Sequence, residues 1–304
     1  MGRGKNSNSN SQVAVLSRPG FWALLALMSL VILGVGSFGY KVIRNAFPEM
    51  GRLRTYYPWL ERARRNERPR IQLRKGVPPG WVSVQAVSPY LIGAVVVSED
   101  WSFFTHDGYD ANEMKEALKK DLVEGRFARG ASTITQQVVK NVFLEQDKTL
   151  WRKFREFVLS VELDQKVSKR RILEIYFNVV EWGDGIYGIG AAAHRYFDKL
   201  PADLTPKESA FLAMLLPSPK RYSQSFRDHR LTSYARRTIR NIMRKMVMGK
   251  YMAQELYERE DAIQLSFEIP ETPDLPPPST VDEVELPEPS DKTVTEDPEA
   301  DHAP

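Results

Sequence analysis

From Pro19 to Tyr40 the chain carries no charged side chain and is mostly Leu, Val, Ala and Gly. Such a run, about 22 residues at 1.5 Å rise each, is long enough to cross a hydrocarbon core of about 30 Å. Trp22 and Tyr40 stand near its ends, where interfacial aromatics belong. The alternative is a cleaved signal peptide, whose apolar core is shorter and ends in a small-x-small site. Gly34-Val35-Gly36 is a poor version of that site, so an uncleaved transmembrane anchor over 19–40 is expected. Arg3, Lys5 and Arg18 precede the run, whereas Lys41, Arg44, Arg52 and Arg54 follow it. Positive charge on both sides leaves the orientation undecided.

The chain has 304 residues, room for one substantial domain plus accessories. It has no cysteine, which excludes disulfides, thiol catalysis and cysteine metal sites. The four histidines, His106, His194, His229 and His302, show no metal-ligand spacing. From Glu271 onward there are eleven acidic residues and one lysine, a balance of −10. The total of +4 therefore leaves +14 on the rest. Beside an anchor, that positive excess suits an anionic membrane surface better than nucleic acid. Residues 1–18 are a polar segment expected to be disordered, and 41–80 read as an arginine-rich juxtamembrane linker. A folded domain is expected over 81–265, followed by a disordered, acidic and Pro-rich tail over 270–304.

Within the domain, 3.6-residue periodicity predominates, which predicts a mainly α fold. Val82–Val87 reads as a short strand. Ser88-Pro89 is a helix start, with serine as cap and proline at the first helical position. That helix delivers Glu99 and Asp100 at its negative end, where an acid not otherwise paired has a raised pKa. A helix is expected near Asn112–Glu124. Another, near Thr149–Lys166, puts Leu150, Phe154, Phe157, Val158 and Val161 on a buried face. Ser168 caps a helix to about Val180, and a glycine-rich turn runs from Gly183 to Gly190. Thr205-Pro206-Lys207-Glu208 is a capping box. Residues 230–260 read as a basic amphipathic helix broken at Gly249.

Four ordered motifs carry the chemistry. The first is Glu99-Asp100-x-x-Phe103-x-x-His106-x-Gly108. The second is Gly130-x-Ser132-Thr133-Ile134-Thr135-Gln136-Gln137-x-x-Lys140-Asn141. Arg152-Lys153-x-x-Glu156 and Arg171-Ile172-Leu173-Glu174-x-Tyr176-x-Asn178 follow, with Gly183-x-Gly185-x-x-Gly188 behind the last. One such motif is a weak signal, but four in order are not. Over roughly residues 80–225 the chain resembles the glycosyltransferase domain of the peptidoglycan transglycosylases, the lysozyme-like family found in class A penicillin-binding proteins. The resemblance implies a lysozyme-like, two-lobed helical domain behind the N-terminal transmembrane helix. It also implies polymerisation of lipid II, by inverting transfer from a lipid pyrophosphate donor to an acceptor sugar 4-hydroxyl. It places the domain outside the cytoplasm, on the periplasmic side of the bacterial inner membrane. Its partners would be lipid II, the growing glycan strand, the membrane and other cell-wall synthesis proteins, with no nucleic acid. The tail is too short for a transpeptidase domain, so a monofunctional enzyme is expected.

Such a transfer needs a base for the acceptor proton, stabilisation of the leaving group and an aligned pair of substrates. The resemblance gives Glu99 the role of base; in isolation a glutamate there would read as a surface acid. Asp100, Phe103, His106, Gly108, Gly130 and Asn141 are supporting residues, with His106 expected to orient the loop and Gly108 to meet a backbone requirement. Ser132, Thr133, Gln136, Gln137, Lys140, Lys148 and Arg152 are the substrate-binding candidates, Lys140 on the donor pyrophosphate. Ser132 also reads as a plain helix cap. The position of Lys148 is often arginine in relatives, and lysine keeps the charge without the bidentate fork. Glu156, the second catalytic candidate, orients the donor, positions Lys140 or Arg152, or shares a divalent cation; a simple ion pair with Arg152 is the bland reading. A cation such as Mg²⁺ near Glu99 and Glu156 is left open, and no metal ligands are assigned. Glu116 departs from the basic residue common in relatives. Two other readings remain: a lysozyme-like hydrolase using Glu99 and Glu156, and a catalytically idle cell-wall partner protein.

Overall fold

In a computed structural model, the uncharged run is helical and continues to Ala46, as α1 (Pro19–Ala46). The structure describes residues 19–61, 67, 69–111, 115, 132–145, 147 and 149–269. The polar N-terminal segment, the acidic tail and the helix expected near 112–124 therefore lie almost wholly outside the described residues. Among those residues the one span long and apolar enough to cross a membrane is Ala26–Arg54, which takes in most of α1 and has a mean hydropathy of 1.8. Helix α1 outruns the expected end at Tyr40 because nothing breaks it until Pro48, which disfavours α geometry at Phe47.

The stretch expected to be a linker carries structure. A 3₁₀ turn over Met50–Arg54 buries Met50 and Leu53. β1 (Tyr56–Leu60) then pairs antiparallel with β2 (Ile71–Lys75), in a register that sets Pro58 against Leu73. The strand expected over Val82–Val87 is instead a 3₁₀ turn at Val84–Ala86. Its backbone groups find side chains rather than a strand partner. Val82 N–H donates to Asn178 Oδ1 (2.9 Å), Asn178 Nδ2 donates to Val82 O (2.7 Å), and Val84 N–H donates to Glu174 Oε2 (3.1 Å).

α2 (Pro89–Glu99) starts as its sequence predicts, with Ser88 Oγ accepting from Tyr90 N–H. Leu91, Ala94, Val95, Val96 and Val97 are buried, each worth about 1.5–3 kcal/mol relative to exposure for the larger side chains. α3 (Ile134–Phe143), α4 (Leu150–Lys166) and α5 (Lys169–Val179) follow, the last capped by Ser168. The glycine-rich turn folds as a hairpin of β3 (Glu181–Gly183) and β4 (Ile186–Tyr187) before α6 (Ile189–Phe197). α7 (Pro206–Leu215) opens with the expected capping box of Thr205 and Glu208. The short α8 (Pro219–Tyr222) and α9 (Gln224–Arg227) lead to α10 (Ser233–Met248), which stops at Gly249, and then α11 (Gln254–Ala262).

The unit ending at Glu268 is mainly α, and its helices pack in two groups. One joins α2, α7, α10 and α11; the other joins α3, α4, α5 and the Met50 turn. The face of α4 is a correction. Leu150 and Phe154, expected to be buried, are 81% and 53% exposed, while Glu156, Leu159, Ser160 and Leu163 face inward. Ser160 Oγ donates to Phe157 O (2.7 Å), and Glu156 is drawn in by cations described below. Leu150, Trp151 and Phe154 lie outward beside the end of α1, where Trp151 meets Phe47 edge-on at 6.1 Å and Arg155 Nε donates to Ala46 O (2.8 Å).

Gly93 lies in the seam of the first group, where a Cβ would fall about 2.5 Å from the Tyr251 ring. Gly93→Ala is expected to cost about 1–3 kcal/mol through overpacking, read as a lower urea midpoint at unchanged slope. An unchanged midpoint would mean that the Tyr251 ring yields freely.

Candidate active site

Glu99 closes α2, and Asp100 is its C-cap. The two neighbouring carboxylates have opposite surroundings. Asp100 is buried and accepts from His106 Nε2 (3.0 and 2.9 Å to its two oxygens) and from Ile134 N–H (2.9 Å). It thereby fastens the end of α2 to the first residue of α3. Glu99 is only partly covered, and its Oε2 accepts from Gln137 Nε2 at 2.9 Å.

The start of α3 supplies the next layer. The cap is Thr133, not Ser132: Thr133 Oγ1 accepts from Gln136 N–H (3.1 Å), and Gln136 Oε1 accepts from Thr133 N–H (3.1 Å). Threonine wins because the two-way box needs Gln three residues on. Thr133 Oγ1 also donates to Gly108 O (2.9 Å). Thr133 and Gln136 are buried, and their box shapes the start of α3. Ser132 Oγ remains partly exposed and accepts from Lys153 Nζ (3.2 Å).

Gln137 is oriented by its second neighbour. Tyr176 O–H donates to Gln137 Oε1 (3.3 Å), which turns the amide N–H toward Glu99. Burial holds the Tyr176 hydroxyl protonated, its pKa well above the ordinary value, with the charges of Glu99 and Asp100 adding to the effect. Burial likewise pushes the Glu99 carboxyl up. The Gln137 hydrogen bond and the charge of Lys140 pull it back in part, and Asp100 adds to the rise. Gln137, Lys140, Asn141 and Tyr176 line a cavity of about 680 Å³ that also meets Arg70 of the hairpin region. Glu99 does not line this space and is linked to it through its hydrogen bond with Gln137.

Glu156 sits on the inner face of α4, buried, with Arg152 Nη1 at 2.5 Å and Lys153 Nζ in contact. Arg152 Nε also donates to Asp147 O (2.5 Å). Both carboxylate oxygens of Glu156 are thus taken by cations, and Lys153 links the pair to Ser132. Among the described residues no group of three or more His, Asp or Glu could hold a metal ion. With Glu156 doubly paired and Glu99 bonded to Gln137, these side chains do not fit a dedicated divalent-cation site. Gly130, Lys148 and Glu116 lie outside the described residues.

Behind Asp100 is a network that the sequence did not reveal. Phe103 is fully buried beneath Lys169, whose Nζ stands 4.9 Å from the ring centroid. Lys169 Nζ pairs with Asp164 (2.6 Å) and approaches His106 Nδ1 (3.3 Å). Gly108 has a φ of +87°, and a Cβ there would collide with the Ser160 carbonyl, so only glycine fits. Burial opposes charge on His106, but Asp100 and Asp164 outweigh it and lift the ring to about 9. The atoms at Nδ1 argue the other way. Gly108 N–H donates to it at 3.0 Å, whereas Asp164 Oδ2 is 3.7 Å away, past hydrogen-bond reach. A protonated Nδ1 accepts nothing, so the network assigns a neutral ring with its proton on Nε2, facing Asp100. Asp164 and Lys169 flank a motif without belonging to it, and only the fold brings them to His106.

The transglycosylase family model matches residues 70–247, more than half of the chain. The chain belongs to this family. Its matched relatives include the biosynthetic peptidoglycan transglycosylase of Aromatoleum aromaticum, 46% identical over 171 residues, which is 56% of this chain and 72% of that protein. Those of Rhodospirillum centenum and Nitrosomonas eutropha are 43% and 44% identical, over 59% and 51% of this chain and 76% and 64% of theirs. The mainly α build agrees with the lysozyme-like fold of the transglycosylase domain. The match begins at Arg70, so strand β2, once read as linker, falls within the transglycosylase segment.

The raised Glu99 pKa makes a stability prediction. Its folded value exceeds the unfolded one, so its contribution is fully present below about 4.5 and is lost as pH rises through the folded value. Glu99→Gln removes that loss. The melting temperature of E99Q relative to wild type is expected to rise above pH 4.5 and to level off once pH passes the folded value. A difference that does not change with pH would contradict the raised carboxyl.

Proposed function

We propose that this chain is a peptidoglycan glycosyltransferase that polymerises lipid II, with Glu99 as its general base. The observation that carries the reading is a half-buried carboxyl, raised by burial and hydrogen-bonded to Gln137, which lines a cavity together with Lys140. A raised carboxyl suits proton transfer near neutral pH better than an ordinary one. In the reaction, Glu99 takes the proton of the acceptor sugar 4-hydroxyl. The freed oxygen attacks the donor anomeric carbon from the face opposite the pyrophosphate, and the bond from that carbon to the pyrophosphate oxygen breaks. The lipid pyrophosphate leaves with the electron pair, and the anomeric centre inverts. Lys140 stabilises the departing charge, and Arg152, held by Glu156, presents a second cation. Lys148 is a third candidate for that role.

Gln137 holds Glu99 toward the acceptor. Thr133 and Gln136 keep α3 in place for it, and Ser132 is the hydroxyl at this helix start left open to a sugar or phosphate. Pairing of Glu156 with both Arg152 and Lys153 speaks against a hydrolase that needs two free carboxyls. The apolar helix α1, and the outward Leu150, Trp151 and Phe154 beside its end, support a membrane-anchored enzyme. We place its domain on the extracytoplasmic side of the bacterial inner membrane, where lipid II and the growing strand are its partners.

Purified protein given lipid II is expected to make polymeric glycan, and release of soluble sugars from finished cell wall instead would favour hydrolysis. Glu99→Gln is expected to slow polymerisation by about 10²–10⁴-fold. Wild-type speed in E99Q would remove Glu99 from the role of base.

A further inference from the structure

Lys169 occupies an unfavourable place. It is the first residue of α5, where the helix dipole is positive and a cation is locally disfavoured. Yet its side chain turns inward and is only 21% exposed. There the ammonium pairs with Asp164 of α4, lies over the Phe103 ring and stands 3.3 Å from His106 Nδ1. One side chain thus joins α4, α5 and the loop that follows Glu99.

We propose that Lys169 is a positioning residue for glycosyl transfer, acting through His106 and Asp100 to hold Glu99 against α3. The inference rests on the reading of Glu99 as base. The charged groups that face His106 are Asp100 from the end of α2, Asp164 from α4 and Lys169 from α5. Two of these three are anions, and alone they would draw a second proton onto the ring. The ammonium and the Gly108 N–H both present hydrogens to Nδ1, which disfavours a proton there. The ring then has one N–H, on Nε2, and it points at Asp100.

Without the ammonium, the ring lies between Asp100 at Nε2 and, at Nδ1, an Asp164 carboxylate whose Oδ1 has no partner among the described residues. The ring takes a second proton, and the Gly108 N–H loses its acceptor. Gly108 O receives the Thr133 hydroxyl, so a shift of this loop reaches the cap of α3 as well as Asp100. Both sides of the Glu99–Gln137 hydrogen bond then move. The effect falls on alignment of the base and not on affinity for the donor.

The test uses the full chain with lipid II, in wild type, Lys169→Met and Lys169→Arg, after unfolding midpoints show that each is folded. Ring ¹⁵N resonances are assigned to His106 by comparison with a His106→Gln variant. Lys169→Met is expected to lower kcat about 10- to 100-fold while KM for lipid II stays within about twofold. Its His106 ring is expected to carry two protons at pH 7, against one in wild type. Lys169→Arg is expected to restore most of kcat and the neutral ring. A folded Lys169→Met with wild-type kcat overturns the proposal. So does equal loss in both variants with a neutral ring in each, the mark of a structural staple. If wild type makes no polymer, the glycosyl-transfer reading fails by itself. The ring signature then decides the Lys169–His106 link, and two protons in wild type overturn it. If Lys169→Met does not fold, Lys169→Ala removes the ammonium without introducing a donor, and the same readings apply.

Discussion

The hydrogen bonds on the Asp100 carboxylate hold the site together. A buried carboxylate without partners is costly, by several kcal/mol or more, and the fold survives one only where donors converge on it. Here the donors come from the next loop, through His106, and from the first turn of α3, through Ile134 N–H. Asp100 therefore sets where the two groups of helices meet. The capping box of Thr133 and Gln136, the Thr133–Gly108 bond and the tight passage of Gly108 past Ser160 all lie around that point.

This arrangement frees the residue beside it. Asp100 takes the structural duty, so Glu99 needs only one hydrogen bond, from Gln137, which lines the cavity. Glu99 ends a helix, where the dipole and burial both disfavour its charge. Asp100 shares that helix end, but its donors answer the penalty locally. Glu156 is a third case, a buried acid closed by two cations, which serves to place Arg152 and Lys153. Three carboxylates of similar intrinsic acidity thus take three roles through their neighbours alone.

Much of the scaffold was legible in the sequence because its signals are local. Ser88-Pro89, Ser168 and the Thr205–Glu208 box start helices where their chemistry says they should. The apolar run, the four motifs and the glycine requirement at Gly108 were equally direct. What stayed hidden depends on tertiary partners. Leu150 and Phe154 of α4 read as buried in the sequence, yet they face out beside the end of α1, while Glu156 and Ser160 turn inward with Leu159 and Leu163. Val82–Val87 has strand composition, but side chains of α5 take its backbone groups. Ser132 and Thr133 compete for one cap, and there the missed signal was local, the Gln136 three residues after Thr133. Lys169 and Asp164 reach His106 across more than fifty residues of chain, a distance no motif spans.

The central claim is that two adjacent carboxyls are separated in role by their surroundings, with Glu99 left as the raised acid. Carboxyl ¹³C resonances of Glu99 followed across pH test it most directly, with Glu99→Gln to assign the signal. The account predicts a Glu99 midpoint clearly above the ordinary glutamate value of 4.5. A midpoint at or below that value would contradict it.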